Sequence, residues 1–201
     1  MTDLTIVFGA IVEKIDVKDT KQSLTFLRFL ESISQIKDAC LQSTVGHYTA
    51  VIQILRFRLE SMLQAVYLDQ QHPTLDINQK LCILEEIADK REYFATRLVN
   101  MISVNNKQGL RDLYRGLSTW SHPSHLDFPT IDKMIENIKN HETSINCDKL
   151  NLVVNLMKGT YDAIFFIIVE MFKETRKSIK ANSDVMDLIR NQKLRLLLST
   201  L

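Results

Sequence analysis

Glycine and proline are scarce in this chain, with five and three in 201 residues. Short strands and tight hairpins need those residues, so their shortage argues against a β-rich fold and favours long helices. Cysteine is scarce as well. Cys40, Cys82 and Cys147 are odd in number, far apart and never spaced C-x-x-C, so neither a disulfide framework nor a thiolate zinc site is expected, and a reducing cytoplasm fits. Neither sign of charge dominates: 25 Lys and Arg stand against 24 Asp and Glu. A formal net charge of +1 gives no global reason to bind nucleic acid or a membrane surface, so any basic surface is local.

Long apolar runs are also missing. The strongest, AIFFIIVEMF from Ala163 to Phe172, is about half a bilayer span, contains Glu170 and runs into Lys173, Arg176 and Lys177. It reads as a core helix, and no membrane partner is expected. The opening MTDLTIVFGAIVEKID has no basic n-region and carries Asp3 and Glu13, so it reads as a structural segment. No glycine-rich phosphate loop, G-x-S-x-G elbow, H-E-x-x-H or dinucleotide fingerprint occurs, which removes those enzyme classes. No cofactor is implied.

What remains is an ordinary globular composition, 45% apolar and 24% charged. Leu24, Leu27, Leu30, Ile33 and Ile36 predict a helix over about 22–42, and Gly46 separates it from the next. Tyr48, Ile52, Leu55, Leu59, Met62 and Val66 keep one face apolar for five turns. Asp76 and Gln79 form a capping pair for a helix from about Ile77 to Ile102. A helix over about Lys107–Trp120 is ended by Pro123, and Pro129 suits the first turn of another through Ile138. Asn146 could cap a long helix from Asp148 towards Lys180, and Ser183 or Asp184 opens the last. The expectation is an all-α, up-down bundle of about six to eight helices with a long C-terminal helix. Residues 1–201 form one domain, with 181–201 as a candidate helical arm.

Projecting 110–122 at about 100° per residue brings Arg111, Arg115, Ser118 and His122 within an arc of roughly 60°. Two guanidiniums match phosphate oxygens and an imidazole gives or takes a proton near pH 7, a combination suited to binding or cleaving a phosphodiester. The bland alternative is two solvated arginines beside a capped SHPSH turn. In ILRFRLESML, Arg56 and Glu60 lie in one lane with Ile52, Leu63 and Tyr67, so both charges should be half buried. They either support the Arg115/His122 face from a neighbouring helix or make a structural ion pair, with Arg58 simply solvated. His122, His125 and Asp127 lack metal-ligand spacing, and no metal is expected. The basic set between Lys173 and Arg195 reads as the solvated side of a helix.

Arg115, six residues and then His122 resemble the R-x(4 to 6)-H motif of the HEPN superfamily of all-α proteins. The segments YTAVIQILRFRLESMLQAVYLD and YRGLSTWSHPSH resemble the paired signature of its uncharacterised prokaryotic branch. The resemblance implies a metal-independent endoribonuclease, or an RNA-binding toxin or defence protein. In it His122 handles the ribose 2′-hydroxyl proton, Arg115 stabilises the phosphorane-like charge, and Ser118 and Arg111 orient the phosphate. Catalytic members usually follow the motif arginine with a polar residue, where this chain has Gly116. The resemblance also implies a homodimer with two such faces lining one cleft, and an antitoxin or adaptor as protein partner. The alternative is a non-catalytic helical interaction module.

Overall fold

Ser23 opens the first helix. In the computed structural model, which describes residues 22–87, 90, 95–121, 147–172, 177, 180–181 and 183–188, its hydroxyl accepts from the Phe26 N–H at 3.2 Å and caps α1, Leu24–Thr44. The helix ends in a Schellman motif. Gly46 takes φ +80°, its N–H bonds the Ser43 carbonyl, and the His47 N–H bonds the Gln42 carbonyl at 2.9 Å. That turn reverses the chain into α2, Tyr48–Gln71.

Asp76 and Gln79 exchange side-chain to backbone bonds of 2.9 and 3.0 Å, the expected reciprocal capping box, and start α3, Ile77–Ile87. The single helix expected from Ile77 to Ile102 is in fact divided. The Lys90 N–H turns back to the Ile87 carbonyl at 3.0 Å, a tight three-residue closure, and Lys90 is not helical. The chain is helical again in α4, Ala95–Met101. Then come α5, Lys107–Ser121, and the long α6, Cys147–Met171. Helix α6 stops short of the Lys180 expected for it, since Phe172 is not helical. Ser183–Leu188 forms α7. The helix expected over Pro129–Ile138 lies outside the described residues. The architecture is all-α, with no strand among the described residues.

Cross-helix contacts give the helix directions. Ser23 at the start of α1 bonds Asp69 at the end of α2, so the two run antiparallel. Helices α5 and α6 are also antiparallel, since Gly116 faces Leu156 and Gly159 faces Leu113. Phe26 meets Phe172 edge-on at 6.1 Å, which sets α1 against α6. The result is an up-down bundle of α1, α2, α5 and α6 in which α2 touches every other long helix. Its residues Val51, Leu55, Leu59 and Met62 are fully buried against Phe29, Leu117, Ile164 and Ile168. Burial of this kind contributes about 1.5–3 kcal/mol for each large apolar side chain. By length and composition α6 could cross a membrane, but half of that stretch is buried inside the bundle.

Two polar clusters fix α1 on α2. The Asp69 carboxylate accepts from the Ser23 hydroxyl at 2.7 Å, the Leu24 and Thr25 N–H groups at 3.0 and 2.9 Å, and Lys80 Nζ at 2.9 Å. It thereby caps a helix in another part of the chain, where the N-terminal dipole favours an anion. Lys80 also donates to the Gln22 carbonyl at 2.6 Å, and only 2% of its side chain is exposed.

The second cluster corrects the expectation that Arg58 is solvated. Arg58 is 7% exposed, donating Nε to Gln35 Oε1 and Nη1 to Glu31 at 3.1 Å, with its stem packed between the helices. Desolvation pushes the Glu31 carboxyl up, yet bonds from Arg28 and Arg58, with their charges, outweigh it and hold the group below its ordinary range.

Removing the Asp69 carboxylate leaves the buried Lys80 ammonium without its counter-ion and two helix-start N–H groups unpaired. Asp69→Ala is expected to cost about 3–5 kcal/mol in urea unfolding, and Lys80→Met, which keeps the apolar stem and three of the four donors to Asp69, about 2 kcal/mol. A loss under about 1 kcal/mol for Asp69→Ala would show the cap to be dispensable.

The lowered Glu31 pKa stabilises the fold fully above the ordinary carboxylate value of 4.5, and that stability is lost as pH falls through the lower folded value. Glu31→Gln should therefore be less stable than the parent at pH 7, with the difference closing below pH 4.5. An unchanged difference at acid pH would remove the ion pair as its cause.

Candidate anion site between α2 and α5

Helix α5 presents two kinds of surface. Leu110, Tyr114, Leu117 and Ser121, spaced four, three and four apart, form its buried face, and of these Tyr114 and Ser121 put hydroxyls against α2, while Ser118 stands to one side of that row. Arg56 meets this row. Its Nη1 donates to Ser121 Oγ at 3.1 Å and Nη2 to the Tyr114 hydroxyl at 3.4 Å, while the guanidinium carbon lies 5.6 Å from the Tyr114 ring centre. The Tyr114 hydroxyl in turn donates to Glu60 Oε1 at 3.5 Å. Ser121 Oγ donates to the Ser118 carbonyl at 3.0 Å, which points its lone pairs at Arg56.

Arg56 and Glu60 are half buried, as their lane required. They make no ion pair with each other, because the Tyr114 phenol stands between them. A guanidinium carries five N–H donors, and here hydroxyls take two of them. Arg56 is thus a half-buried cation with no carboxylate partner among the described residues. On α5, three residues before Ser121, Ser118 Oγ is buried without a hydrogen-bond partner. The seam therefore holds unused cationic donors, with an unused hydroxyl on the same helix as the two that Arg56 bonds.

The outer part of the sequence-derived face is arranged differently. Arg111 turns to α4, where Nη2 donates to Asn100 Oδ1, and Nη1 reaches Gln108 Oε1 at 3.4 Å. Arg115 is 76% exposed in its side chain, and its ion pair among the described residues is with Asp112 at 3.7 Å. The two arginines do not converge on one point. At Gly116 an added Cβ would meet only Leu156 Cδ2 at 3.8 Å, ordinary contact, so packing does not demand the glycine there. His122, with His125 and Asp127, lies outside the described residues, one position beyond Ser121.

Other chemistry has less support. The Cys40 thiol is pushed up from its ordinary value by burial, which argues against an activated nucleophile there, and Cys82 and Cys147 are exposed. Burial likewise raises the Tyr161 phenol, which stays protonated. Among the described residues no group of three or more His, Cys, Asp or Glu side chains is placed to hold a metal ion.

Sequence reasoning found Arg56, Glu60 and Ser118 but missed Tyr114 and Ser121. The signal was available. The two are seven apart, two turns on one side, directly flanking the apolar Leu110/Leu117 stripe.

Comparison with protein-family models, curated proteins and solved structures finds no match, so the site is read from its own geometry.

If the seam is one network, its members are coupled. Tyr114→Phe and Arg56→Gln should each cost about 1–2 kcal/mol, and the double variant should cost less than their sum by at least about 0.5 kcal/mol. Strict additivity in urea unfolding would show that the guanidinium and phenol act independently.

Proposed function

We propose that this chain is an RNA-directed anion-binding protein and that the seam between α2 and α5 receives a backbone phosphate. Metal-independent cleavage is carried by Arg115 and His122, as in the HEPN-like proteins that the sequence resembles. The observation that carries the reading is Arg56, a half-buried guanidinium bonded to the Ser121 and Tyr114 hydroxyls with no carboxylate partner among the described residues. Forked N–H donors in a partly desolvated place suit a phosphate oxygen, and the unpartnered Ser118 hydroxyl is a further donor on α5.

Arg56 also bonds the residue that precedes His122, so a phosphate held at the seam lies close in the chain to the imidazole. In the reaction the ribose 2′-oxygen bonds to phosphorus as His122 takes its proton. The bond from phosphorus to the 5′-oxygen breaks, and that oxygen takes a proton from solvent water on leaving. Arg115, exposed and weakly engaged, is free to turn to the charge that develops on the phosphoryl oxygens. Arg111, already bonded to Asn100, moves from orienting the phosphate to bracing α5 on α4. A homodimer would bring two seams into one cleft and supply the local positive charge that a near-neutral chain lacks, and toxin or defence roles with an antitoxin or adaptor partner follow from the same resemblance.

The second reading is a non-catalytic helical interaction module. It is favoured by the fact that Tyr114 and Ser121 already use their hydroxyls within the seam. On that reading the network serves only to dock α5.

Labelled RNA incubated in excess chelator with the parent protein, His122→Ala, Arg115→Ala and Arg56→Gln separates the two. The parent should cleave, the first two variants should lose at least about a hundredfold, and Arg56→Gln should mainly weaken binding. Equal cleavage by all four proteins, or by none, would remove the catalytic claim and leave the interaction module.

A further inference from the structure

Away from the seam, the outer side of α1 and α2 carries most of the exposed large apolar side chains. Six are exposed among the described residues, and four lie here: Leu30, Leu41 and Val45 along α1 and at its end, and Phe57 on α2. The other two, Met101 and Val154, stand singly on α4 and α6. Single exposed hydrophobics are ordinary, but a group on two adjacent helices marks an interaction surface. Phe57 is also held in place, since the buried Arg58 guanidinium, bonded to Gln35 and Glu31, sits 5.4 Å from its ring centre. A fixed aromatic ring loses little entropy when a partner covers it.

Most polar groups on this side are already engaged. Ser34 and Thr44 turn their hydroxyls back to the Glu31 and Leu41 carbonyls, Gln35 accepts from Arg58, and Gln42 bonds His47 at 2.7 Å. Lys37, Asp38 and Gln53 are exposed, and neither of the two charges has an ion pair among the described residues. The three lie at one level of the antiparallel pair. Ser23 is level with Asp69 and Gln35 with Arg58, and Asp38 lines the α1/α2 groove together with Gln53 and Ile54. One positive charge, one negative charge and one carboxamide therefore stand in the middle of the apolar group, between the levels of Leu30 and Val45. A carboxamide both donates and accepts, and adjacent opposite charges complement their own two-fold copy.

We infer that this side of α1 and α2 binds a second copy of the chain, about a two-fold axis that crosses both helices at the level of Lys37 and Gln53. Such an axis stacks α1 antiparallel on the partner's α1, and α2 on the partner's α2. Lys37 then meets the partner's Asp38, Leu41 the partner's Ser34, Leu30 the partner's Val45, and Phe57 the partner's Ala50, a large ring on a small residue. Gln53 meets its own counterpart. A two-fold axis along the helices would instead lay α1 on α2 and leave both charges without an opposite, so the charges select the crossing axis. From Leu30 to Val45 the face is about 22 Å long and, across two helices, about 20 Å wide, at the lower end of stable interfaces, which suits a micromolar dimer. Arg56 points to α5 and Arg58 to α1, so α2 lies between those helices and this axis sets both seams on the same edge of the dimer. The pairing itself needs nothing of the seam's anion chemistry.

Sedimentation velocity of the full chain tests it, over concentrations from about 1 to about 300 μM. The parent should be dimeric at the upper end and dissociate on dilution. Phe57→Lys, which acts twice in a two-fold dimer, should weaken association at least about a hundredfold. Lys37→Asp and Asp38→Lys each bring like charges together and should weaken it about tenfold, whereas the double variant, with both charges reversed in each copy, should restore it. These positions are exposed, so the variants keep the fold, which circular dichroism verifies. The readout is mass and not cleavage or phosphate binding, so a failure of the anion site leaves it unchanged. A monomer at every concentration, a dimer that Phe57→Lys leaves intact, or single charge variants that the double variant does not rescue would each overturn the assignment.

Discussion

A guanidinium withdrawn halfway from water must be surrounded by acceptors, and Arg56 meets that need with hydroxyls from a neighbouring helix. This one requirement fixes several others. Tyr114 must face α2 to accept from Arg56, Ser121 must follow two turns later, and α5 is thereby held in rotation as well as in position. The apolar residues alone would allow α5 to rock about its axis, since Leu110 and Leu117 specify a stripe and not a register. The polar seam sets the register. It also leaves the guanidinium charge without a carboxylate among the described residues, which an ion pair between Arg56 and Glu60 would not have done.

Helix α2 carries three such polar anchors at different heights, and each serves a different neighbour. Asp69 caps the start of α1 and takes Lys80 from α3, Arg58 joins Glu31 and Gln35 of α1, and Arg56 reaches α5. The first is almost completely buried and fully satisfied, so it acts as a clamp. The second lies at the edge of the α1/α2 groove and fixes the exposed Phe57 ring. Only the third has no carboxylate partner among the described residues, and function is sought at that uncompensated charge.

Helix existence and several boundaries were readable from local chemistry. Gly46, the Asp76/Gln79 pair and the apolar spacing of 48–66 each specify a feature that depends on near neighbours in sequence. The division between α3 and α4 was not readable, because no glycine or proline marks the stretch around Lys90. Arg58 looked like a surface charge because its partners, Glu31 and Gln35, lie on another helix more than twenty residues away. Asp69 and Lys80 are eleven residues apart with Pro73 between them, a separation that no helical period connects. For the site, the lane of Arg56 and Glu60 and the placing of Ser118 were legible from periodicity. The side of α5 that carries Tyr114 was legible too, but its position between Arg56 and Glu60 was not, since only the packing of two helices brings it there.

The central claim is that the anion site lies at the α2/α5 seam and not on the outer arginines of α5. It is tested most directly by following isotope-labelled protein by NMR during titration with inorganic phosphate. The account predicts that the largest shifts fall on the Arg56 side-chain Nε–H and the Ser118 and Ser121 amides, with Arg111 little changed. Shifts confined to Arg111 and Arg115, or no shifts at all, would contradict it.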